Sequence, residues 1–250
     1  MAVLWRQCDC GWWHWGASEE SVGVSVSRCK STHYDVESLE LAEKDPGLRN
    51  TFWLVQSWTG DRKNHDKVVA ELKEGGVPEQ NVEVVYGYHH GKEQNGKEVT
   101  KGIGHLSFSF RWLPRAATIL QSRRSIACFV YVESNASVQA PVKDIVESIR
   151  KAKQPVVWVG WKRQWAWGVI EGSKAIAFKR SGLVMAQEAA NRGKFARGYF
   201  WLDGVLSRRL PKGRIHRTPK SFFGSRTHVS VSEGTVMRRP AFSPGARGSK

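Results

Sequence analysis

The sequence predicts an α/β protein with a mostly parallel open sheet, because short apolar runs alternate with amphipathic segments along much of the chain. The clearest apolar runs are residues 52–55, 126–132 and 156–159. Residues 61–74 come after the first of these runs and residues 141–151 after the second. In both segments the apolar residues recur at the spacing of a helix with one apolar face. Such alternation is typical of a parallel sheet that is covered by helices.

The first elements predict one βαβ unit. Residues 52–55 form a short apolar run that indicates a buried strand. Residues 61–74 have apolar positions at helical spacing and end at Gly75-Gly76, which is a typical helix stop. Residues 81–86 are rich in valine and predict the second strand.

The following elements continue the same alternation. Residues 103–121 predict a helix interrupted near Pro114, and residues 126–132 predict the most buried strand because they carry no charge. A proline at the start and one apolar face predict a helix over residues 141–151. The remaining predicted elements are a strand at 156–159, one or two strands within 168–178, and a helix at 181–192.

Composition divides the chain into three parts. Residues 1–50 form a small segment rich in Cys and Trp, residues 51–206 form the α/β domain, and residues 207–250 form a basic tail. The net charge is +16, and the tail holds eleven Lys and Arg residues against one acidic residue. Because Pro, Gly and Ser interrupt it, the tail is expected to be disordered. It would attract polyanions such as nucleic acid, unless it serves only solubility.

Several classes of protein are excluded by composition. No apolar run approaches 18 residues, so a membrane-spanning helix is not expected. The first ten residues lack the features of a secretory signal, and four cysteines in 250 residues are too few for a disulfide scaffold. The expected location is therefore intracellular, either cytoplasmic or nuclear.

Candidate site residues follow the apolar runs, because ligands of open α/β sheets bind beyond the carboxyl ends of the strands. A carboxylate directly after the most buried strand is held rigidly and can bind a metal or transfer a proton, although it can also simply cap the next turn. The polar residues that follow the three clearest runs are Gln56, Arg62, Glu133, Asn135, Lys162 and Arg163.

The order of these pieces resembles GT-A-type glycosyltransferases, with glycosyltransferase family 25 the closest. The resemblance spans residues 51–206, and it depends on the order of the motifs because no single motif is specific. The matching pieces are FWLVQSWTGDR, Gly102-Ile-Gly104 followed by Ser107, FVYVESNASV, GVIEGSKAIAFKRSG, and WLDGVL, which contains Asp203.

This resemblance implies transfer of a sugar from a nucleotide-sugar donor to an acceptor of unknown identity. It also implies a divalent metal, Mn or Mg, that acidic residues hold against the donor's diphosphate. Glu133 and Asp203 are the catalytic candidates in this comparison. The candidates for substrate binding are Gln56, Arg62, Ser107, Asn135, Lys162, Arg163 and Lys179.

The chain departs from the family at two of these motifs. Glu133-Ser134-Asn135 has one carboxylate where the family has two or three, and Phe108 follows Ser107 where the family has histidine. Three interpretations remain open: a weaker metal site, an inactive descendant, or a metal-independent site. In the last case Lys162, Arg163 or Lys179 would neutralise the phosphates.

Two further features support other hypotheses. Residues 158–167 interleave tryptophans with Lys and Arg, so together with the basic tail they predict a nucleic-acid-binding protein as the alternative function. The pattern C-x-C…C-x3-H supplies four ligands for a zinc site at Cys8, Cys10, Cys29 and His33. The alternative is that these cysteines pack a small apolar cluster, as is expected for Cys128 inside its strand.

Overall fold

The computed structural model describes residues 2–7, 13–16, 36–40, 43–58, 62–87, 112–164, 170–192, 202–211 and 213–226. The strands are β1 (Ala2–Gln7), β2 (Trp13–Gly16), β3 (Val36–Glu40), β4 (Thr51–Trp58), β5 (Val82–Gly87), β6 (Cys128–Glu133), β7 (Ala136–Val138), β8 (Val156–Gly160), β9 (Arg163–Gln164), β10 (Ile170–Glu171), β11 (Ala175–Lys179), β12 (Ile215–Arg217) and β13 (Phe223–Ser225). The helices are α1 (Arg62–Glu74), α2 (Trp112–Ser122), α3 (Val142–Lys151), α4 (Arg180–Arg192) and α5 (Leu202–Arg209), with a 3₁₀ turn at Glu79–Asn81.

A six-stranded sheet in the order β12-β8-β11-β6-β4-β5 forms the centre of the described fold. Strand β4 is parallel to both β5 and β6, and β12 is parallel to β8. Strand β11 is antiparallel to its two neighbours, β6 and β8. The prediction of an α/β fold with a mostly parallel open sheet is therefore confirmed.

Helices cover both faces of this sheet, and side chains alternate between the faces along each strand. On one face, Phe52, Leu54, Phe129 and Tyr131 pack in a cluster that also contains buried residues of α2, α4 and α5; we call this the α2 face. On the other face, which we call the α1 face, residues such as Trp53, Val55, Cys128 and Val130 pack with buried residues of α1 and α3.

Most of the predicted elements lie where the sequence places them. Strands β4, β5, β6 and β8 and helices α1, α3 and α4 match their predicted segments within a few residues. The segment 168–178 contains two strands, β10 and β11. Pro114 does not break α2 but is the third residue of that helix, where a missing N–H costs nothing. Residues 103–111 lie outside the described residues.

The C-terminal segment extends the domain beyond residue 206, where the composition places its end. Strand β12 joins the edge of the main sheet, β13 pairs with β7, and Phe222 and Phe223 are buried. Residues 207–226 are basic overall, but they include a few apolar residues that pack against the sheet. Residues 227–250 lie outside the described residues, so the prediction of a disordered basic tail is not tested there.

The N-terminal segment contains a three-stranded antiparallel sheet in the order β2-β1-β3. Strand β2 is adjacent to helices α2 and α4. The four predicted zinc ligands, Cys8, Cys10, Cys29 and His33, lie outside the described residues. Among the helices that the structure describes, none is long and apolar enough to cross a membrane.

Candidate functional site

A polar cluster lies at the carboxyl edge of the sheet, where β4 and β6 end. Gln56 and Glu133 are register partners on these two parallel strands. Both extend side-chain rows that pack on the α2 face, Phe52 and Leu54 in one strand and Phe129 and Tyr131 in the other. The alternation of side chains therefore places Gln56 and Glu133 side by side on the α2 face, immediately beyond its apolar core.

Lys174 joins this cluster from the neighbouring strand. It directly precedes β11, which is antiparallel to β6, so the amino end of β11 meets the carboxyl end of β6. The backbone N–H of Glu133 donates to the carbonyl of Lys174 over 3.0 Å, which fixes the two residues opposite each other. Three adjacent strands thus each contribute one polar side chain at this edge.

The Lys174 ammonium is bound by two oxygens of the segment that follows β6. Its Nζ donates to Glu133 Oε2 over 2.5 Å and to Asn135 Oδ1 over 2.8 Å. Ser173 Oγ donates to the other carboxylate oxygen, Glu133 Oε1, over 3.4 Å. The side chains of Lys174 and Glu133 are 20% and 21% exposed, so the ion pair is mostly buried but still reaches solvent.

Gln56 contributes a buried acceptor to the same edge. Its Nε2 donates to the carbonyl of Val85 over 3.1 Å, which fixes the orientation of the amide because a carbonyl oxygen can only accept. Gln56 Oε1 is buried and has no hydrogen-bond partner within the part of the chain that the structure describes. Since buried polar atoms are nearly always paired, this oxygen is expected to accept from a group that lies outside the described residues.

The loop that carries Asn135 is fixed by the C-terminal segment. The backbone N–H of Arg226 donates to the carbonyl of Asn135 over 2.9 Å, and its guanidinium donates to the carbonyl of Ala136. The same guanidinium forms an ion pair with Glu71 of α1, and Glu71 Oε2 also accepts from the backbone N–H of Val138 over 2.8 Å. Arg226 therefore connects β13, β7 and α1 behind Asn135.

A second polar group lies near the end of β4 but on the α1 face. Ser57 Oγ is 2.9 Å from His65 Nδ1, and His65 Nε2 is 3.2 Å from Asp66 Oδ1. Ser57 and His65 are buried, whereas Asp66 is exposed. Because Ser57 and Gln56 are consecutive in β4, their side chains point to opposite faces of the sheet. This group is therefore separated from the cluster around Glu133.

The other predicted site residues are distributed between two edges of the sheet. Arg62 begins α1 directly after the β4 connection, and Lys162 and Arg163 follow β8, so their backbones lie at the carboxyl edge. Lys179 lies at the opposite end of β11, in register with Cys128, and its Nζ donates to the carbonyl of Ala152 over 2.5 Å. The structure therefore does not bring Lys179 together with Glu133.

Asp203 and Ser107 complete the predicted set. Asp203 is the second residue of α5, a helix that is adjacent to β10, and β10 leads directly into the Gly172–Lys174 turn of the cluster. Helix α5 is anchored on the α2 face by Leu206, which is fully buried. Ser107 lies outside the described residues.

Of the tryptophans in the predicted stacking surface, Trp158 is fully buried within β8, and Trp161 lies just beyond that strand. The Arg217 guanidinium lies 4.1 Å from the centre of the Trp161 ring, and Trp161 Nε1 donates to Thr218 Oγ1 over 3.4 Å. Trp161 is also partly buried against the α2-face cluster. Because Arg217 belongs to β12, this strand covers one face of the Trp161 ring. Trp165 and Trp167 lie outside the described residues, and the nucleic-acid alternative stays a prediction.

The residues of the cluster do not fit a divalent cation. Glu133 Oε2 and Asn135 Oδ1, two of the oxygens expected at a metal, are both bound to the Lys174 ammonium. A divalent ion at these oxygens would meet that positive charge at close range. No group of three or more His, Cys, Asp and Glu side chains that could hold a metal occurs among the described residues.

Comparisons with known proteins give one coarse result. No protein-family model matches the chain, and no curated protein matches it. Among solved structures, 41 chains are significantly similar. One of them is a glycosyltransferase involved in the glycosylation of the major capsid of PBCV-1. It is 11% identical, with a TM-score of 0.49 over 73% of this chain and 95% of that chain. The likeness is distant, and no function of this chain follows from it.

Proposed function

We propose that the protein is a glycosyltransferase with a GT-A-like domain and that its nucleotide-sugar donor binds at the carboxyl edge of β4 and β6. The observation that carries this proposal is the cluster of Gln56, Glu133, Asn135 and Lys174, which gathers polar groups from three adjacent strands at one edge. Ligands of open α/β sheets bind at this edge. The order of motifs that resembles glycosyltransferase family 25 supports the same conclusion.

The cluster offers the two kinds of contact that a nucleoside diphosphate sugar needs. Gln56 Oε1 can accept a hydrogen bond from a hydroxyl or base N–H of the nucleoside. The Lys174 ammonium is the cationic group that can face the diphosphate, with Glu133 and Asn135 holding it in place. Arg62, Lys162 and Arg163, whose backbones lie at the same edge, are proposed to provide further phosphate contacts.

Transfer also requires a group that removes the proton of the acceptor hydroxyl. Asp203 is proposed for this role because α5 is adjacent to the strand that leads into the Lys174 turn. The acceptor oxygen then forms its bond to the anomeric carbon as the bond from that carbon to the diphosphate breaks. A positioned carboxylate base typically contributes about a hundredfold or more to such a rate.

The proposal is tested by measuring the thermal stability of the full chain with a panel of nucleoside diphosphate sugars. A donor at about a hundred times its Kd adds about 2.7 kcal/mol, which raises the Tm by roughly 5–10 °C for a chain of this size. Glu133→Gln is expected to reduce the shift, because the Lys174 ammonium loses the carboxylate that holds it at this edge. The matched control is Glu147→Gln, which makes the same chemical change on α3, where Glu147 pairs with Arg150 and faces solvent.

Turnover gives the second measurement once a donor is found. With that donor and an acceptor panel, Asp203→Asn is expected to lower the rate of nucleoside diphosphate release by about a hundredfold while the Tm shift is retained. The proposal fails if no nucleotide sugar changes the Tm of the wild-type chain. It also fails if Glu133→Gln and Glu147→Gln bind the donor equally well.

A further inference from the structure

We propose that Lys174 supplies the positive charge that faces the donor's diphosphate, so that donor binding requires no divalent cation. This inference rests on the proposed function, and it names the residue that neutralises the phosphates. The sequence candidates for that role were Lys162, Arg163 and Lys179. Lys174 differs from Lys179 because its ammonium lies within the polar cluster at the carboxyl edge.

The hydrogen bonds of Lys174 leave room for one more acceptor. An ammonium has three N–H donors. Glu133 Oε2 and Asn135 Oδ1 accept two of them, at 2.5 and 2.8 Å. Among the described residues no other group accepts from it, so the third is proposed for an oxygen of the ligand, and the side chain is 20% exposed. A charge-assisted bond of this kind is about twice as strong as a neutral one.

The charges of the cluster suit an ammonium better than a metal ion. A divalent cation is balanced by about two carboxylates, whereas an ammonium is balanced by one. The cluster holds one carboxylate, Glu133, and one neutral amide, Asn135, around the single charge of Lys174. The amide is therefore the partner expected for a monovalent cation, and the missing second carboxylate no longer implies an impaired site.

The position of Lys174 is fixed by the backbone as well as by its side chain. Its carbonyl accepts from the N–H of Glu133, and the next residue, Ala175, is paired with Val132 and Gly160 in the sheet. An ammonium held on a rigid strand end requires little reorganisation when a ligand arrives. This rigidity compensates in part for the smaller charge of an ammonium relative to a divalent ion.

The test is isothermal titration of the full chain with uridine and guanosine 5′-diphosphates, once with EDTA and once with MnCl2. The wild-type chain is expected to bind the preferred diphosphate with the same affinity in both buffers, within about twofold. Lys174→Met is expected to weaken binding in EDTA by tenfold or more, as is typical of losing a charge-assisted bond. Lys179→Met is the matched control at the other end of β11 and should bind like wild type.

A manganese rescue separates a cationic role from a purely structural one. In Lys174→Met the oxygens of Glu133 and Asn135 lose the ammonium, so MnCl2 should restore part of the affinity. The double variant Lys174→Met/Glu133→Gln lacks the carboxylate and should not be rescued. It also removes the unpaired carboxylate, so urea unfolding should show it to be at least as stable as Lys174→Met.

The outcomes distinguish the inference from the proposed function. If wild-type chain binds a nucleoside diphosphate only with MnCl2, the role of Lys174 is overturned while the glycosyltransferase proposal survives. Unchanged binding by Lys174→Met in EDTA overturns the inference in the same way. If neither these diphosphates nor the diphosphate of any donor in the Tm panel binds to the wild-type chain in either buffer, the proposed function fails and the inference fails with it.

Discussion

Cys128 shows how strongly a single position in the sheet controls the chemistry of a side chain. It is fully buried on the α1 face, and its thiol donates only a long bond to the carbonyl of Phe129 at 3.7 Å. Burial raises the pKa of the Cys128 thiol to about 12, while Lys179 and the backbone of Phe178 act in the opposite direction. The thiol is therefore neutral and unreactive in the folded protein at physiological pH.

The raised pKa predicts a loss of stability in alkaline solution. Below about pH 8.5 the thiol is protonated in both folded and unfolded chains, so it has no pH-dependent effect. As the pH rises toward 12, only the unfolded chain releases this proton, and the free energy of unfolding falls by up to about 1.4 kcal/mol per pH unit. Urea unfolding between pH 8 and 10.5 should show a steeper decline for wild type than for Cys128→Ala. Parallel pH profiles would contradict the prediction, since all other titrating groups are common to both proteins.

The residues of the candidate site were predicted in part. The rule of inspecting residues after each apolar run finds Gln56, Glu133 and Asn135, which the structure brings to one edge. The rule misses Lys174 because this residue precedes its strand. Only an antiparallel strand brings its preceding residue to the carboxyl edge of its neighbours, and the orientation of β11 is not visible in its apolar pattern.

Helices and strands with many apolar residues were predicted well, and short ones were not. Helix α3 has a proline before it and four buried apolar residues at helical spacing, so local and tertiary preferences agree. Strand β12 has three partly buried residues and lies within a basic segment. Its place in the sheet depends on the parallel pairing with β8, a tertiary contact that the local sequence does not record.

Gly182 of α4 provides a test at the scale of one element. A methyl group at this position would overlap the carbonyl oxygen of Pro155, which lies just before β8. Alanine favours a helix by about 1 kcal/mol over glycine, but the clash with a fixed backbone atom is expected to outweigh this gain. Gly182→Ala should lower the stability by about 1–3 kcal/mol, measured by thermal unfolding.

The control for this prediction lies in the same helix. Glu188 is partly exposed, and Glu188→Ala should change the stability by no more than about 0.5 kcal/mol. If Gly182→Ala were as stable as wild type or more stable, α4 would have to pack against the segment before β8 less closely than the structure shows.

At the scale of the whole molecule, the sequence predicts the α/β class but not the complete sheet. The alternation of apolar runs with helices gives the layers, while the strand order and the antiparallel β11 depend on contacts between distant segments. The charge of residues 207–250 predicts that the domain ends at residue 206, but strands β12 and β13 continue it past that residue. Phe222 and Phe223 are buried on the α1 face, so this segment packs on the sheet although most of its charged residues are basic.

Two truncated chains test the extended boundary. A chain that ends at Arg226 keeps every contact described above and should unfold at the same urea concentration as the full chain. A chain that ends at residue 212 loses β12, β13 and the burial of Phe222 and Phe223. At about 2 kcal/mol for each buried phenylalanine, it should lose about 4 kcal/mol or more, or fail to unfold cooperatively. Identical urea curves for the two truncated chains would show that the C-terminal segment does not belong to the domain.

The late arrival of β12 also matters while the ribosome is still synthesising the chain. Until β12 emerges, β8 is an outer strand whose backbone amides and carbonyls on one side have no partner. Charged residues and proline usually protect an outer strand from pairing with another molecule. The five residues of β8, Val-Val-Trp-Val-Gly, include neither. Incomplete chains, including those released by a premature stop before residue 215, would therefore be prone to aggregate. The last strand of the sheet acts as the chain's own protection against misassembly.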